Sequence, residues 1–137
     1  MDRKSKFFIC VKCANLMNAY QFSGNVPSCC NEKMENLAPM YDSEGMEKHL
    51  PYVVVDGARV KITVGADPHP MTDAHGISWI YLVTKFGDMR KYLLPGEEPA
   101  AVFTLEKGDI PIAAYAHCNM HGLWKTVINK GDCDCEE

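Results

Sequence analysis

The sequence predicts an all-β protein in two parts: a small metal-stapled module and, behind it, an antiparallel β-sandwich. Three observations carry that expectation. Four cysteines crowd into a 21-residue span near the N-terminus. From about residue 39 onward the chain breaks into short runs with apolar residues at alternate positions, separated by Gly and Pro. No segment sustains the 3.6-residue apolar period of a helix. A chain of 137 residues accommodates one domain of about 100 residues with its own core, plus an appendage. The expected division is 1–38, 39–129 and an acidic tail, 130–137.

The first module is built on Cys10-x-x-Cys13 and, after fifteen intervening residues, the adjacent pair Cys29-Cys30. Four thiolates suit tetrahedral zinc or iron. The two-residue spacer of the first pair lets both sulfurs of one turn reach a single ion. Adjacent cysteines tend to point apart, so binding through Cys29 and Cys30 together is expected to strain their turn. Spacing alone leaves two readings open. A segment of under about 40 residues buries too little apolar surface to fold unaided, so the metal could be a zinc staple. It could equally be an iron electron-transfer centre. A disulfide pairing is a third option, disfavoured in a reducing compartment.

In the larger module, residues 52–55 lead through Asp56-Gly57, a hairpin signal, into residues 58–64, which are apolar at every second position. Further strands are expected at 77–86, with Ile77, Trp79, Tyr81 and Val83 on one face, and at 89–94, 101–105, 113–117 and 123–128. Short strands of this number, punctuated by Gly and Pro turns, indicate a sandwich with its loops gathered at one end.

Those loops carry the histidines. The chain has five, and four of them, His49, His69, His75 and His121, stand in the contexts H-L-P, P-H-P, D-A-H-G and C-x-x-H-G, each within two residues of Pro or Gly. Cys118 and His121 can reach one ion from a single turn. The six-residue spacing of His69 and His75, with Pro68, Pro70 and Gly76 around them, fits a loop wrapped about an ion. Four imidazoles and one thiolate suit iron, zinc or copper. Five protein ligands exceed the four of a structural zinc site and leave one position of a six-coordinate ion open, which favours iron. His117 directly precedes Cys118, so on an extended backbone it points the other way and is read as a non-ligand.

Composition narrows the partners. Four of the 18 acidic residues, Asp132, Asp134, Glu136 and Glu137, lie in the last six positions; the other 14 balance 14 basic residues. A neutral body offers no field for nucleic acid, and no apolar run approaches a membrane span. The N-terminus has only a three-residue apolar stretch before Cys10, too short for a signal peptide. The expected location is the cytoplasm, where seven cysteines read as metal ligands before disulfides.

Taken together these residues resemble the two-iron superoxide reductases, also called desulfoferrodoxins. The resemblance covers about residues 7–125. It rests on C-x-x-C-x15-C-C in front, E-K-H-x-P at 47–51, P-H-P-M at 68–71 and the further His75. Behind these come W-I at Trp79-Ile80, the L-x-P-G-E turn at 93–97 and C-N-x-H-G-x-W-K at 118–125. It implies a desulforedoxin-like first domain with iron held by Cys10, Cys13, Cys29 and Cys30, and an immunoglobulin-like sandwich with a catalytic iron. It also implies a homodimer that reduces superoxide to hydrogen peroxide with electrons from an external donor such as a rubredoxin.

Carried over by position, His49, His69, His75 and His121 would form the equatorial plane and Cys118 the axial thiolate, with the sixth position facing solvent. Glu47 matches the ligand of the resting ferric ion and Lys48 the cation beside the open site. The chain departs from the pattern in its Cys133-Asp134-Cys135 tail and in His117, where an aromatic is expected. Two rival functions remain at this point. A pure electron carrier would show no fast reaction with superoxide, and a binding module with zinc in both sites would be colourless.

Overall fold

The computed structural model describes residues 6–41, 49–65 and 69–129, and among these there is no α-helix. No helix among them is long and apolar enough to cross a membrane. They fall into two compact units that meet in sequence between Ala38 and Pro39.

In the first unit, β1 (Lys6–Ile9) lies between β2 (Leu16–Ala19) and β5 (Glu35–Asn36), antiparallel to both. A second ribbon pairs β3 (Ser28–Cys29) with β4 (Glu32–Lys33). The alternating-run argument did not anticipate these strands, because two to four residues are too few to show a period. Among the described residues the buried apolar cluster is Phe8, Cys10 and Met34, edged by Ala19, Phe22, Val26 and Cys29. So small a core is marginal without a metal.

Cys29 pairs with Glu32, so Cys30 and Asn31 are the two loop residues of the ribbon, with φ of 52° and 63°. Positive φ at both central positions is the type I′ hairpin, whose twist suits the flanking strands. Asn tolerates this region; for Cys30 it costs about 1–2 kcal/mol. The strain expected of adjacent cysteines is therefore located in the Cys30 backbone.

The second unit is the sandwich. One sheet has the order β10 (Ala100–Thr104), β7 (Arg59–Val64), β6 (Pro51–Asp56); the other has the order β12 (Gly122–Val127), β11 (Pro111–Cys118), β8 (Ile77–Thr84), β9 (Asp88–Tyr92). The strands within each sheet pair antiparallel, and an isolated parallel bridge joins Met40 to Trp124. All seven strands match the runs read from sequence. Between β6 and β7, Asp56 pairs with Arg59 and Gly57 supplies φ of 59° to a two-residue loop. Val60, Ile62 and Val64 of β7 and Ala101 and Phe103 of β10 meet Ile80 and Leu82 of β8 and Ala114, Ala116 and Cys118 of β11 in one core.

The face assigned to residues 77–83 needs correction. The register of β11 on β8 shifts between His117, opposite Trp79, and Cys118, opposite Ile77. This bulge leaves Ser78 without a register partner on β11 and turns Ile77 into the core beside Ile80 and Leu82, while Trp79 and Tyr81 occupy the opposite face. Both faces of this central strand are buried, so polarity does not report which side is the core.

Candidate metal centres

In the first unit the backbone brings the four sulfurs of Cys10, Cys13, Cys29 and Cys30 within 4.8 Å of one another. The Cys13 and Cys29 sulfurs are 3.6 Å apart, and those of Cys29 and Cys30 are 4.0 Å apart. Sulfurs placed about 2.3 Å from a central ion form a tetrahedron with edges of about 3.8 Å, so the cluster has the dimensions of a four-thiolate site. All five described cysteines are free thiols. The turn after β1 is closed by the Cys10 N–H on the Asn15 carbonyl and the Ala14 N–H on the Cys10 carbonyl, at 2.9 and 2.8 Å. Within it the Cys13 amide, with help from that of Lys12, lowers the Cys10 thiol to about 7. Hydrogen bonding among the sulfurs raises Cys29 and pushes Cys30 up to about 12. Four thiols with such divergent proton affinities compete for negative charge, and a cation at their centre removes that competition.

At one end of the sandwich, three chain segments converge. His49 enters β6, where the Gly65 N–H on the Leu50 carbonyl at 2.9 Å holds it beside the end of β7. The His69 N–H bonds the Val64 carbonyl at 3.2 Å, so His69 folds back onto the same strand end. His75 ends the loop into β8, which antiparallel pairing of Ile77 with Cys118 brings to the tip of β11. His121 sits in the three-residue turn between Cys118 and Gly122, and Gly122 adopts φ of 85°. A Cβ there would also approach Met40 Cε to 3.2 Å.

The four imidazoles form a closed cycle. Successive ring centroids, His49 to His69 to His75 to His121 and back to His49, are 4.9, 4.7, 5.0 and 4.6 Å apart, each pair edge-on at 65–79°. Across the cycle His49 and His75 are 6.4 Å apart. Ligand atoms of His49, His75, Cys118 and His121 lie within 4.8 Å of one another; His69 joins them through its ring contacts with His49 and His75. His49 Nε2 is 3.0 Å from His121 Nδ1, which is 3.7 Å from Cys118 Sγ. His69 Nδ1 donates to the Pro70 carbonyl at 2.7 Å, which leaves its Nε2 the lone pair. His75 Nε2 is buried with no hydrogen-bond partner among the described residues. A buried nitrogen without a partner is costly, and an ion at the centre of the cycle would satisfy it. The donor set therefore fits a transition metal.

Burial is graded across the site. Cys118, His49 and His69 are buried, His75 is half-buried and His121 is exposed. Trp124 backs two ligands, stacked on His49 at 5.1 Å and 18° and donating from Nε1 to the His121 carbonyl at 3.1 Å. His117 lies off the cycle, as its place before Cys118 predicts. It stacks on Trp79 at 5.4 Å and 12°, with Nδ1 3.2 Å from Ser78 Oγ. Burial pulls its pKa below the usual histidine value. Glu47, Lys48, Cys133 and Cys135 lie outside the described residues.

Sequence reasoning passed over Trp124 and Asn119 as individual residues. The Asn119 side chain spans to the loop that carries His75, bonding the Gly76 N–H and the Ala74 carbonyl at 3.0 and 3.3 Å. Partners more than forty positions away leave no local signature.

Comparison with known proteins agrees with this geometry. A sequence profile described as Desulfoferrodoxin matches residues 42–127. A desulfoferrodoxin homolog of Methanothermobacter thermautotrophicus is 38% identical, over 90% of this chain and 99% of that one. The desulfoferrodoxin of Nitratidesulfovibrio vulgaris is 34% identical over 91% and 98%. The crystal structure of the superoxide reductase from Treponema pallidum superposes with a TM-score of 0.79 at 32% identity, covering 91% of this chain and 99% of that one.

Proposed function

The chain belongs to the desulfoferrodoxin family, and on that premise we infer that it is a superoxide reductase holding two iron ions per chain. The observation that carries this reading is the closed cycle of four imidazoles over the buried Cys118, with the exposed His121 at its rim. When bound, ferrous iron at this centre supplies one electron to superoxide, and two protons complete hydrogen peroxide. The chain's part is to fix the geometry. Cys118 is rooted in the sandwich core and would hold the ion together with the imidazoles of His49, His69, His75 and His121. By the family resemblance, Lys48 would attract the anionic substrate to the ion and Glu47 would bind the ion in the oxidised protein.

Cys10, Cys13, Cys29 and Cys30 hold the second iron. Electrons reach the chain from an external protein donor of the rubredoxin type. The chain divides functionally into 1–38, 39–129 and the tail 130–137, a reading supported by the break in contacts between Ala38 and Pro39. The free thiols support a reducing, cytoplasmic setting, and the assembly is a homodimer.

Two measurements test the assignment in sequence. Anaerobically purified protein should contain about two irons per chain. The reduced protein, mixed with a pulse of superoxide, should then oxidise in a second-order reaction yielding hydrogen peroxide and no dioxygen from the protein. One iron with one zinc would demote the first centre to a staple. Absence of iron from iron-replete cells, or no reaction of the reduced protein with superoxide, would overturn the reading.

A further inference from the structure

We propose that Asn119 is a positioning residue, whose carboxamide ties the His75 loop to the turn carrying Cys118 and His121 and so holds the His75 imidazole in register with the other ligands. The inference rests on the reading of these side chains as one metal centre. Asn119 Oδ1 accepts from the Gly76 N–H at 3.0 Å and Nδ2 donates to the Ala74 carbonyl at 3.3 Å. The Asn119 main-chain N–H also donates to the Gly76 carbonyl at 3.2 Å. Both neighbours of His75 are thus held by one residue, itself bonded in sequence to Cys118.

The loop's internal bonds set its shape but not its aim. Thr72 Oγ1 accepts from the His75 N–H at 3.0 Å and donates to the His75 carbonyl at 3.1 Å, and the Thr72 N–H bonds that carbonyl at 2.9 Å. The turn so formed is tied at its start by the Gly96 N–H on the Met71 carbonyl at 2.8 Å, while its other side, facing Cys118, is tied through Asn119. Packing does not fully back it: an open cleft of about 200 Å³ lies along it, bordered by Met71, Asp73, Ser78, Leu93, Pro95 and Asn119. Polar ties to the Cys118 turn therefore fix the direction of His75. The residue type follows from the partners. One N–H and one carbonyl, on either side of the same histidine, require a donor and an acceptor at the same short reach. Asn supplies both, Asp only the acceptor, and Leu neither.

Metal ligands depend on such outer partners for their orientation, and losing one costs about 10- to 100-fold in metal affinity. The test is anaerobic titration of the full-length metal-free protein with cobalt(II) in competition with a chelator. Cobalt absorption bands report occupancy, and the paramagnetically shifted imidazole N–H resonances count the bound histidines. In Asn119→Leu the expected result is cobalt affinity at the histidine centre weaker by about 10- to 100-fold, with one imidazole resonance lost. The four-cysteine centre of the same molecule should bind as before, and the amide spectrum of the metal-free sandwich should keep its wild-type dispersion, which a folding defect would not permit. Asn119→Asp keeps the bond from Gly76 and should show a smaller loss.

Histidine-centre affinity within twofold of wild type in Asn119→Leu, with the full set of imidazole resonances, overturns the proposal. If that variant does not fold, Asn119→Asp decides by the same readout, and unchanged affinity there overturns it. A wild-type protein that takes no cobalt on its histidines overturns the underlying functional reading and this inference with it. Wild-type binding with indifferent variants overturns this inference alone.

Discussion

The imidazole of His49 lies flat against the indole of Trp124, with ring centroids 5.1 Å apart and planes 18° from parallel. The same indole donates to the carbonyl of His121, so one buried side chain backs two ligands that arrive from opposite ends of the domain sequence. Trp124→Ala should cost about 3–5 kcal/mol of stability through the cavity it leaves. Trp124→Phe keeps an aromatic face but removes the N–H, and should cost about 1 kcal/mol through the lost hydrogen bond. Denaturant unfolding of the metal-free variants measures both, and equal costs would refute the separation of roles.

Lys48→Ala should slow second-order oxidation by superoxide about tenfold, equivalent to about 1.4 kcal/mol, and flatten its dependence on ionic strength. A neutral body leaves steering to local charge. Pulse radiolysis at two salt concentrations provides the check, and an unchanged rate would remove Lys48 from the mechanism.

Glu47→Ala should change the visible spectrum of the oxidised protein and leave the first reaction with superoxide within about twofold. The carboxylate is assigned to the resting ferric state and not to the encounter. Stopped-flow spectra of the two redox states test this; strong loss of the first step would make Glu47 a catalytic acid instead.

The proton count on loading the four-cysteine centre should depend on pH in a stated direction. Cys10 is lowered from 9.0 to about 7, so above pH 7 it has already lost its proton and contributes none on metal binding. As pH falls through about 7, the yield should rise by one proton per ion. The same sign applies to folding. The contribution of Cys10 to the stability of the metal-free protein is complete above the ordinary thiol value of 9.0 and is lost as pH falls through about 7. Indicator-dye titration with zinc on either side of neutrality measures the proton count, and a yield independent of pH would contradict it.

The strands of the sandwich were legible because Asp56-Gly57 announces its hairpin and because β7 alternates strictly, with Val60, Ile62 and Val64 inward. The clustering of His49, His69, His75, Cys118 and His121 was legible from residue type and from the Pro or Gly within two residues of each of these histidines. What escaped was determined across the chain. The facing of β8 turned on a bulge at Ser78 that depends on pairing with β11. The reach of Cys30 depended on a type I′ turn that its residue type does not advertise. The stack of Trp124 on His49 and the ties of Asn119 to Ala74 and Gly76 appear only once distant segments meet.

The histidine centre draws on both layers of the sandwich. His49 and His69 flank the paired strands β6 and β7 of the three-stranded sheet, whereas His75, Cys118 and His121 stand at the ends of β8, β11 and β12 in the four-stranded sheet. An ion held among them is a rivet through two plates that otherwise cohere by apolar packing and by the Thr126 hydroxyl bond to the Pro51 carbonyl at 2.7 Å. Its removal would leave each sheet internally bonded and free that end to splay, so demetallation should be felt first as faster exchange of backbone amides around Leu50, Gly65 and Gly76, before the distant turn at Gly57 registers any change.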